Sequence, residues 1–259
     1  METISAHIYD YPKYYDLLFG SDWRAEFGFL RACFDRHAQR KVRRLFEPAC
    51  GTGRLLFQFA RAGYEASGND LNGKAVEFCN VRLVRHGFPP AAVVGDMADF
   101  RLKRKVDAAF NTINSFRHLA GEKEAASHLR CVAAALAKGG IYVLGLHLTP
   151  TVAPANDRES WSARRGHLVV NSQMWSIEVD RRRRRERVGF TFDVYTPKRQ
   201  FRLHEELLFR TYTAAQFSRL LARVPELELV AAYDFTYRID EPICVDGSTE
   251  DAVFVLRRR

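Results

Sequence analysis

The chain has 259 residues, which suits one large domain or one domain with a substantial insertion, and its 47% hydrophobic and 27% charged residues exclude global disorder. No apolar run approaches the roughly 18 residues that a membrane span needs, and the N-terminus lacks the pattern of a secretory signal, so we expect a cytoplasmic protein without membrane contact. The five cysteines form no CxxC pair, which predicts neither a disulfide framework nor a metal site.

The net charge of +9 is concentrated in two short arginine clusters. Arg181 to Arg185 form an unbroken run and Arg257 to Arg259 form another; without these eight residues the charge falls from +9 to +1. The first run falls where a hairpin turn is expected, so we interpret it as a solvated tip. Binding of RNA or an anionic substrate there is the alternative, and nucleic acid is not the favoured partner.

Residues 1–35 are predicted to form a separate, mostly helical N-terminal cap rich in Tyr and Phe. From residue 42 to 148 short apolar segments alternate with helical ones, and a strong amphipathic helix is predicted over 121–140. This alternation indicates a Rossmann-like α/β fold with a parallel sheet covered by helices on both faces. The predicted strands are 42–47, 64–70, 91–96, 106–113 and 141–148.

After Pro150 the pattern changes to three successive extended segments with polar turns, at 167–180, 187–195 and 201–212. They predict an antiparallel β insertion after the fifth strand, which we assign to residues 151–210 as a roof over a substrate site. A helix over 213–224 with Thr213 as N-cap and strands at 227–237 and 251–258 complete a seven-stranded, mainly parallel sheet. The core domain is therefore expected to comprise residues 36–150 and 211–259.

The most informative stretch is LFEPACGTGR at residues 45–54, where a strand ends in a carboxylate and a glycine turn opens a helix. Such a turn lets the backbone approach a ligand closely. A nicotinamide fingerprint would need a third small residue where Leu56 stands, and the Gly-Lys-Ser/Thr of a phosphate-binding Walker loop is absent.

This stretch resembles the first motif of the class I S-adenosylmethionine (AdoMet)-dependent methyltransferases, with an alanine at a position where glycine is commoner. The resemblance implies that Asp70 holds the ribose hydroxyls, that Asp96 and Met97 contact adenine, and that Asn111 to Asn114 line the sulfonium side. It predicts AdoMet as the cofactor. The implied cofactor-binding residues are Tyr15, Glu47, Ala49, Gly51, Gly53, Asp70, Leu71, Asp96, Met97 and Asn111.

The segment after the fourth predicted strand narrows the acceptor class. The Pro-Pro motif of many amino-methylating enzymes acting on nucleic acids or protein glutamine is absent from FNTINSFRHL. The layout resembles aminosugar N,N-dimethyltransferases and, more loosely, glycine N-methyltransferase, through Tyr15-Asp16 and through Ser115 to His118. The resemblance implies that His118 orients or deprotonates the acceptor. The candidate acceptor-binding residues are Tyr11, Asn114, His147 and Tyr195.

Structural alternatives stand beside these roles. His118 could satisfy backbone groups at a junction, and the N-terminal tyrosines could pack the cap in place. The sequence thus favours methyl transfer to a nitrogen or oxygen of a small molecule, by a monomer or homodimer. The alternatives are an RNA or protein methyltransferase that docks through its arginines, and a non-catalytic AdoMet- or RNA-binding module.

Overall fold

The computed structural model describes residues 1–152 and 158–259. None of the helices in this part of the chain is long and apolar enough to cross a membrane. The strands are β1 (Glu2–Ser5), β2 (Arg44–Pro48), β3 (Glu65–Asp70), β4 (Ala92–Val94), β5 (Val106–Asn111), β6 (Leu136–His147), β7 (Arg158–Arg165), β8 (Leu168–Asp180), β9 (Arg185–Tyr195), β10 (Gln200–Arg210), β11 (Leu227–Tyr233) and β12 (Asp251–Arg258). The helices are α1 (Pro12–Phe19), α2 (Arg24–His37), α3 (Arg54–Arg61), α4 (Gly73–Arg85), α5 (Glu122–Ala135) and α6 (Ala214–Leu221), with short 3-10 turns at Ile8–Asp10 and Ser115–His118.

The core sheet has seven strands in the order β11-β12-β6-β5-β2-β3-β4. β12 runs antiparallel to both of its neighbours, and the other pairings are parallel. Neighbouring residues of one strand belong to different hydrophobic clusters: Phe46 packs in the cluster that includes α5 and α6, whereas Leu45 packs with α2, α3 and α4. Because side chains alternate along a strand, the two clusters lie on opposite faces. The predicted sheet with helices on both faces is confirmed.

In the described part of the chain the inserted sheet has five strands, in the order β1-β10-β9-β8-β7, rather than the three expected. β7 was missed because its sequence, RESWSARR, is largely polar and it pairs only with β8 among the described strands. β1 has four residues and pairs in parallel with β10, from Glu2 opposite Phe201 to Ser5 opposite His204. The insertion is therefore antiparallel apart from this N-terminal strand.

The N-terminal segment divides between the two layers of the molecule. Leu17 and Leu18 of α1 are buried in the hydrophobic cluster that also contains Phe192 and Leu203 of the inserted sheet. α2 packs on the core sheet instead, where Phe29 lies in the cluster that contains α3 and α4.

The arginine run forms the β8–β9 turn, as predicted, but Arg184 does not project into solvent. Its backbone C=O accepts the N–H of Thr211 at 3.0 Å, its guanidinium bonds to Glu122, and it lies 5.1 Å from the ring centre of Tyr212. The interpretation of the whole run as a solvated tip is therefore wrong at this residue. The other four arginines of the run are exposed. The tip is anchored to the core by α5 and the end of β10.

Candidate functional site

A cavity of about 330 Å³ opens at the carboxyl ends of the core strands. Loops after β2, β3, β4 and β5 form one side, and the N-terminal segment forms the other. Open parallel sheets bind ligands at this edge. The lining residues are His7, Tyr9, Pro12, Tyr15, Ala49, Gly51, Thr52, Asp70, Leu71, Asn72, Ala75, Gly95, Met97, Ile113, Ser115 and His118.

The glycine turn after β2 is held in an unusual backbone conformation. Ala49, Gly51 and Gly53 all have positive φ, at 53°, 52° and 66°. A Cβ at Gly51 would meet no other atom within 4 Å, whereas a Cβ at Gly53 would lie 2.1 Å from the Sγ of Cys79. Gly53 therefore permits close packing of the turn against α4. Gly51 leaves bare backbone at the cavity wall.

Asp70 ends β3 and is locked by two backbone donors. Its Oδ2 accepts the N–H of Gly51 at 2.8 Å, and its Oδ1 accepts the N–H of Asn72 at 2.8 Å. Burial raises the pKa of this carboxyl, while the two N–H groups oppose the rise. An ionised carboxylate has about four lone-pair sites, so each oxygen keeps capacity for a further donor. The group is thus oriented to accept a pair of hydroxyls from the cavity.

A small recess of about 40 Å³ lies beside the cavity and shares Tyr15, Ala49 and Gly51 with it. Glu47 and Asn111 also line this recess, and both are almost completely buried. The Oε2 of Glu47 and the Oδ1 of Asn111 have no hydrogen-bond partner among the described residues. Buried acceptors without a donor are costly. The recess therefore suits a ligand group rich in N–H donors.

Apolar side chains border the far end of the cavity. Met97 is buried, whereas Leu71 is 70% exposed at the rim. Asp96 is exposed and does not line the cavity, and its Oδ1 accepts the N–H of Ala98 at 2.7 Å. The neighbouring Gly95 does line it. The structure thus brings the residues on either side of Asp96 into the wall, with Asp96 at its edge.

Two aspartates fasten the N-terminal segment over the cavity. Asp10 accepts hydrogen bonds from Asn72 and Lys74 at the start of α4, both at 2.8 Å. Asp16 is buried, accepts the hydroxyl of Thr52 at 3.0 Å, and pairs with Arg82. The Tyr15-Asp16 element therefore has a clear structural role, because its aspartate binds the glycine turn. Its tyrosine lines the cavity.

A buried ion pair supports the recess from behind. Arg54, the first residue of α3, contacts Glu26 of α2 at 2.5 Å, and both side chains are less than a tenth exposed. The hydroxyl of Thr112 also donates to Glu26. Burial raises the pKa of the nearby Glu47 carboxyl well above its usual range, and Arg54 opposes that rise. Sequence reasoning did not connect Glu26 with Arg54, because nothing local links them.

His118 lines the cavity with its imidazole in an aromatic setting. Its Nε2 lies 3.0 Å from the hydroxyl of Tyr9, and its ring meets Phe209 edge-on at 4.8 Å. Desolvation and the adjacent Arg117 lower the pKa of His118 to about 4. Burial raises the pKa of the Tyr9 phenol well above 10. At neutral pH the protonated Tyr9 hydroxyl therefore donates a hydrogen bond to Nε2 of a neutral His118 imidazole.

Four residues singled out as acceptor-binding candidates do not line this cavity. Tyr11 stacks on Tyr14 at 6.1 Å. Asn114 has φ of 53°, and its Oδ1 accepts the backbone N–H of His147 at 3.0 Å. His147 bonds through Nδ1 to Asp251 and lines a second cavity of about 140 Å³. Tyr195 ends β9 opposite Gln200, away from both cavities.

No group of three or more His, Cys, Asp or Glu side chains among the described residues could hold a metal ion.

Two residues of the cavity wall, His7 and Tyr9, were not predicted from the sequence. The signal for Tyr9 was its place in the tyrosine-rich segment beside the Tyr-Asp element. For His7 the sequence offers no comparable signal.

Comparisons with known proteins agree with this geometry. Residues 46–140 match the family model of a methyltransferase domain. A dTDP-3-amino-3,4,6-trideoxy-alpha-D-glucopyranose N,N-dimethyltransferase from Streptomyces venezuelae is 30% identical over 139 residues, which are 52% of this chain and 56% of the relative. The chain spans about half the length of the curated relatives that it matches.

Two solved structures resemble this chain over nearly its whole length. An S-adenosylmethionine-dependent methyltransferase from Clostridium acetobutylicum has a TM-score of 0.77 at 16% identity, covering 97% of this chain and 99% of that one. A sugar N-methyltransferase from a Streptoalloteichus species has a TM-score of 0.74 at 20% identity, and the match covers 100% of this chain and 95% of that one. Residues 46–140 are therefore a methyltransferase domain, the fold of an S-adenosylmethionine-dependent methyltransferase extends over nearly the whole chain, and the resemblance to the class I S-adenosylmethionine-dependent methyltransferases that was seen in the sequence is confirmed.

Proposed function

We propose that this chain transfers a methyl group from AdoMet to a small-molecule acceptor, and more specifically to the amine of a sugar. The observation that carries the proposal is the recess at the end of β2 and β5. There the Oε2 of Glu47 and the Oδ1 of Asn111 are buried acceptors without a donor among the described residues, and the oriented carboxylate of Asp70 lines the adjoining cavity. A ligand with an ammonium group would supply donors to Glu47 and Asn111, and a ribose diol on the same ligand would supply donors to Asp70.

The residues present fit AdoMet well. The ammonium of its methionine part would be held by Glu47 and Asn111, and the ribose hydroxyls by Asp70. Met97 and Leu71 would cover the adenine, with the exposed carboxylate of Asp96 at the rim. When bound, AdoMet supplies a methyl group already activated on a sulfonium centre. The chain then has to align the acceptor, exclude water and accept a proton.

The acceptor site is proposed to lie between Tyr15 and His118. The phenol of Tyr15 keeps its proton, since burial raises its pKa to about 12. The hydrogen bond from Tyr9 fixes the His118 ring, so we assign His118 an orienting role towards the acceptor. The amino-sugar assignment is supported by the names of the relatives, which are N-methyltransferases of sugars.

Docking of RNA or protein through the arginines has little structural support. Arg184 is engaged with Glu122, and Arg257 pairs with Glu228 at 2.5 Å. We propose that the protein is a monomer or a homodimer and that it is located in the reducing cytosol. All five cysteines are free, which is in keeping with that compartment.

Calorimetric titration with AdoMet tests the cofactor assignment. Asp70→Asn should weaken binding about 10- to 100-fold, since a hydrogen bond to a charged group contributes roughly 1.5–3 kcal/mol. The exposed Asp99→Asn is the matched control and should bind like the wild type. Equal affinity in both variants would contradict the assignment, and circular dichroism would check that Asp70→Asn remains folded.

Release of S-adenosylhomocysteine tests the acceptor. We expect turnover with dTDP-3-amino-3,4,6-trideoxy-α-D-glucopyranose and none with the analogue that has a hydroxyl in place of the amine. Methylation of the hydroxyl analogue alone would exclude the amine specificity. Absence of turnover with both compounds would exclude the amino-sugar proposal while leaving the calorimetric result to decide on AdoMet.

A further inference from the structure

A histidine–carboxylate pair lies in the cavity wall. His7 lines the cavity, and its Nδ1 is 2.6 Å from the Oε1 of Glu205. The other carboxylate oxygen of Glu205 accepts the backbone N–H of Ile8 at 2.9 Å. These two bonds orient the carboxylate so that it accepts the Nδ1–H of His7. In that tautomer the imidazole lone pair is on Nε2, to which no other described residue forms a hydrogen bond.

The pairing of the N-terminal strand with β10 brings the two residues together. Ser5 lies opposite His204, and the N–H of Ala6 donates to the C=O of His204 at 3.2 Å. His7 follows directly and meets Glu205, the next residue of β10. Glu205 points to the same sheet face as the buried Leu203 and Leu207. A carboxylate on an apolar face is costly without a partner, and His7 with the Ile8 N–H offsets that cost.

The other titratable groups of the cavity are less suited to accept a proton. His118 has its Nε2 occupied by Tyr9, and its pKa is lowered to about 4 by desolvation and by Arg117. Tyr9 and Tyr15 are phenols that stay protonated. Asp70 already accepts two backbone N–H groups at the opposite wall. Among the described lining residues, His7 alone combines an available nitrogen with a carboxylate partner.

We propose that His7, oriented by Glu205, is the general base that takes the proton from the acceptor amine, which rests on the proposed function. The ammonium form of the acceptor gives one proton to Nε2, and the resulting imidazolium is stabilised by the Glu205 carboxylate. The freed nitrogen lone pair forms the new N–C bond to the methyl group, while the electrons of the broken C–S bond remain on sulfur. His118 and Tyr9 position the acceptor during this step.

The charges around His7 come from several elements. Glu205 faces it from β10, and the Tyr9 ring meets it edge-on at 5.2 Å. His118 lies close enough for electrostatic interaction with it, as does Asp10. Asp10 is itself paired with Lys74 at 2.8 Å. The Glu205 carboxylate is the nearest of these groups and the one in hydrogen-bond contact.

The test is the pH profile of turnover in His7→Gln with the amino-sugar acceptor. At pH 7, below the pKa of a sugar amine, kcat should fall about 100-fold, which is the usual scale of general-base catalysis. At a pH where the acceptor amine is already neutral in solution, the variant should approach the wild-type rate, since no base is then needed. Glu205→Gln should show an intermediate loss at pH 7. His167→Gln, in an exposed turn, is the matched control.

Two further readouts separate a chemical role from a structural one. Calorimetry should give His7→Gln the same affinity for AdoMet as the wild type, and added imidazole should restore part of the turnover of His7→Ala. A loss of the same size at every pH without imidazole rescue, or an unchanged kcat at pH 7, would overturn the proposal. A wild type that binds AdoMet and methylates no amine would overturn the proposed function together with this inference.

Discussion

Replacing Gly53 with alanine should damage the glycine turn by two separable effects. The residue has φ of 66°, a conformation that costs an L-residue about 1–2 kcal/mol. The new Cβ would also lie 2.1 Å from the Sγ of Cys79, and overpacking of this kind costs typically 1–3 kcal/mol. We therefore expect Gly53→Ala to lower the free energy of unfolding by about 2–5 kcal/mol. The loss should appear without any ligand present.

Gly51→Ala is the matched control, because Gly51 has a φ of 52° and open space around its Cβ position. Urea unfolding without AdoMet should give this variant a loss of only about 1–2 kcal/mol. Combining Gly53→Ala with Cys79→Ala leaves a 3.1 Å contact to the Cys79 Cβ and should recover part of the larger loss. Equal stability of the two glycine variants, together with additive effects in the double mutant, would refute the packing argument.

Two further predictions concern the stability of the body of the protein. His128 is buried between the Met97 C=O and the Tyr142 hydroxyl, and desolvation lowers its pKa from 6.5 to about 4. Because only the unfolded state binds the proton between these two pH values, the free energy of unfolding should fall by about 3 kcal/mol as the pH drops from 6.5 to 4. Urea unfolding at several pH values should show a weaker pH dependence of this free energy in His128→Asn. Arg184→Ala should lower the free energy of unfolding by about 1–2 kcal/mol in the same assay, because it frees the β8–β9 turn from Glu122. The control is Arg183→Ala, whose side chain is 78% exposed and whose loss should change that free energy by less than about 0.5 kcal/mol. Equal effects of the two substitutions would contradict the anchoring of the turn by Arg184.

The core elements could be predicted because their signals are local. The apolar runs of β2 and β5 and the cap of α6 at Thr213 needed no distant partner. The cap forms a complete capping box, in which Thr213 accepts the N–H of Gln216 and the Gln216 side chain accepts the N–H of Thr213. Polar edge strands such as β7 carry no such pattern, since their formation depends on pairing with a neighbour.

The helix predicted over 121–140 is shorter in the structure. It ends at Ala135, and Gly139 and Gly140 belong to β6 instead. A Cβ at Gly140 would lie 2.6 Å from the backbone oxygen of Asp107. The glycine is therefore required by the close approach of β5 and β6, a contact that sequence reasoning could not see.

In the candidate site, too, the residues with local sequence signals were predicted and those placed by distant contacts were not. Glu47, Gly51 and Asp70 were predictable because each ends a strand or forms the turn after it. On the acceptor side His118 was predicted, but His7 and Tyr9 were not, because that wall is built by segments far apart in the sequence. His147 is oriented by Asp251, and His7 by Glu205, 198 residues away.

The pairing of β1 with β10 also has a consequence for the order of folding. Closing a loop of about 200 residues costs on the order of 5 kcal/mol of chain entropy, so this contact should form late. During synthesis, β2, β3 and β5 are complete long before Phe201 and Glu205 leave the ribosome. A nascent chain would thus hold an exposed cofactor turn whose remaining wall is still being made. Affinity for AdoMet should therefore arise in one of the last steps of refolding.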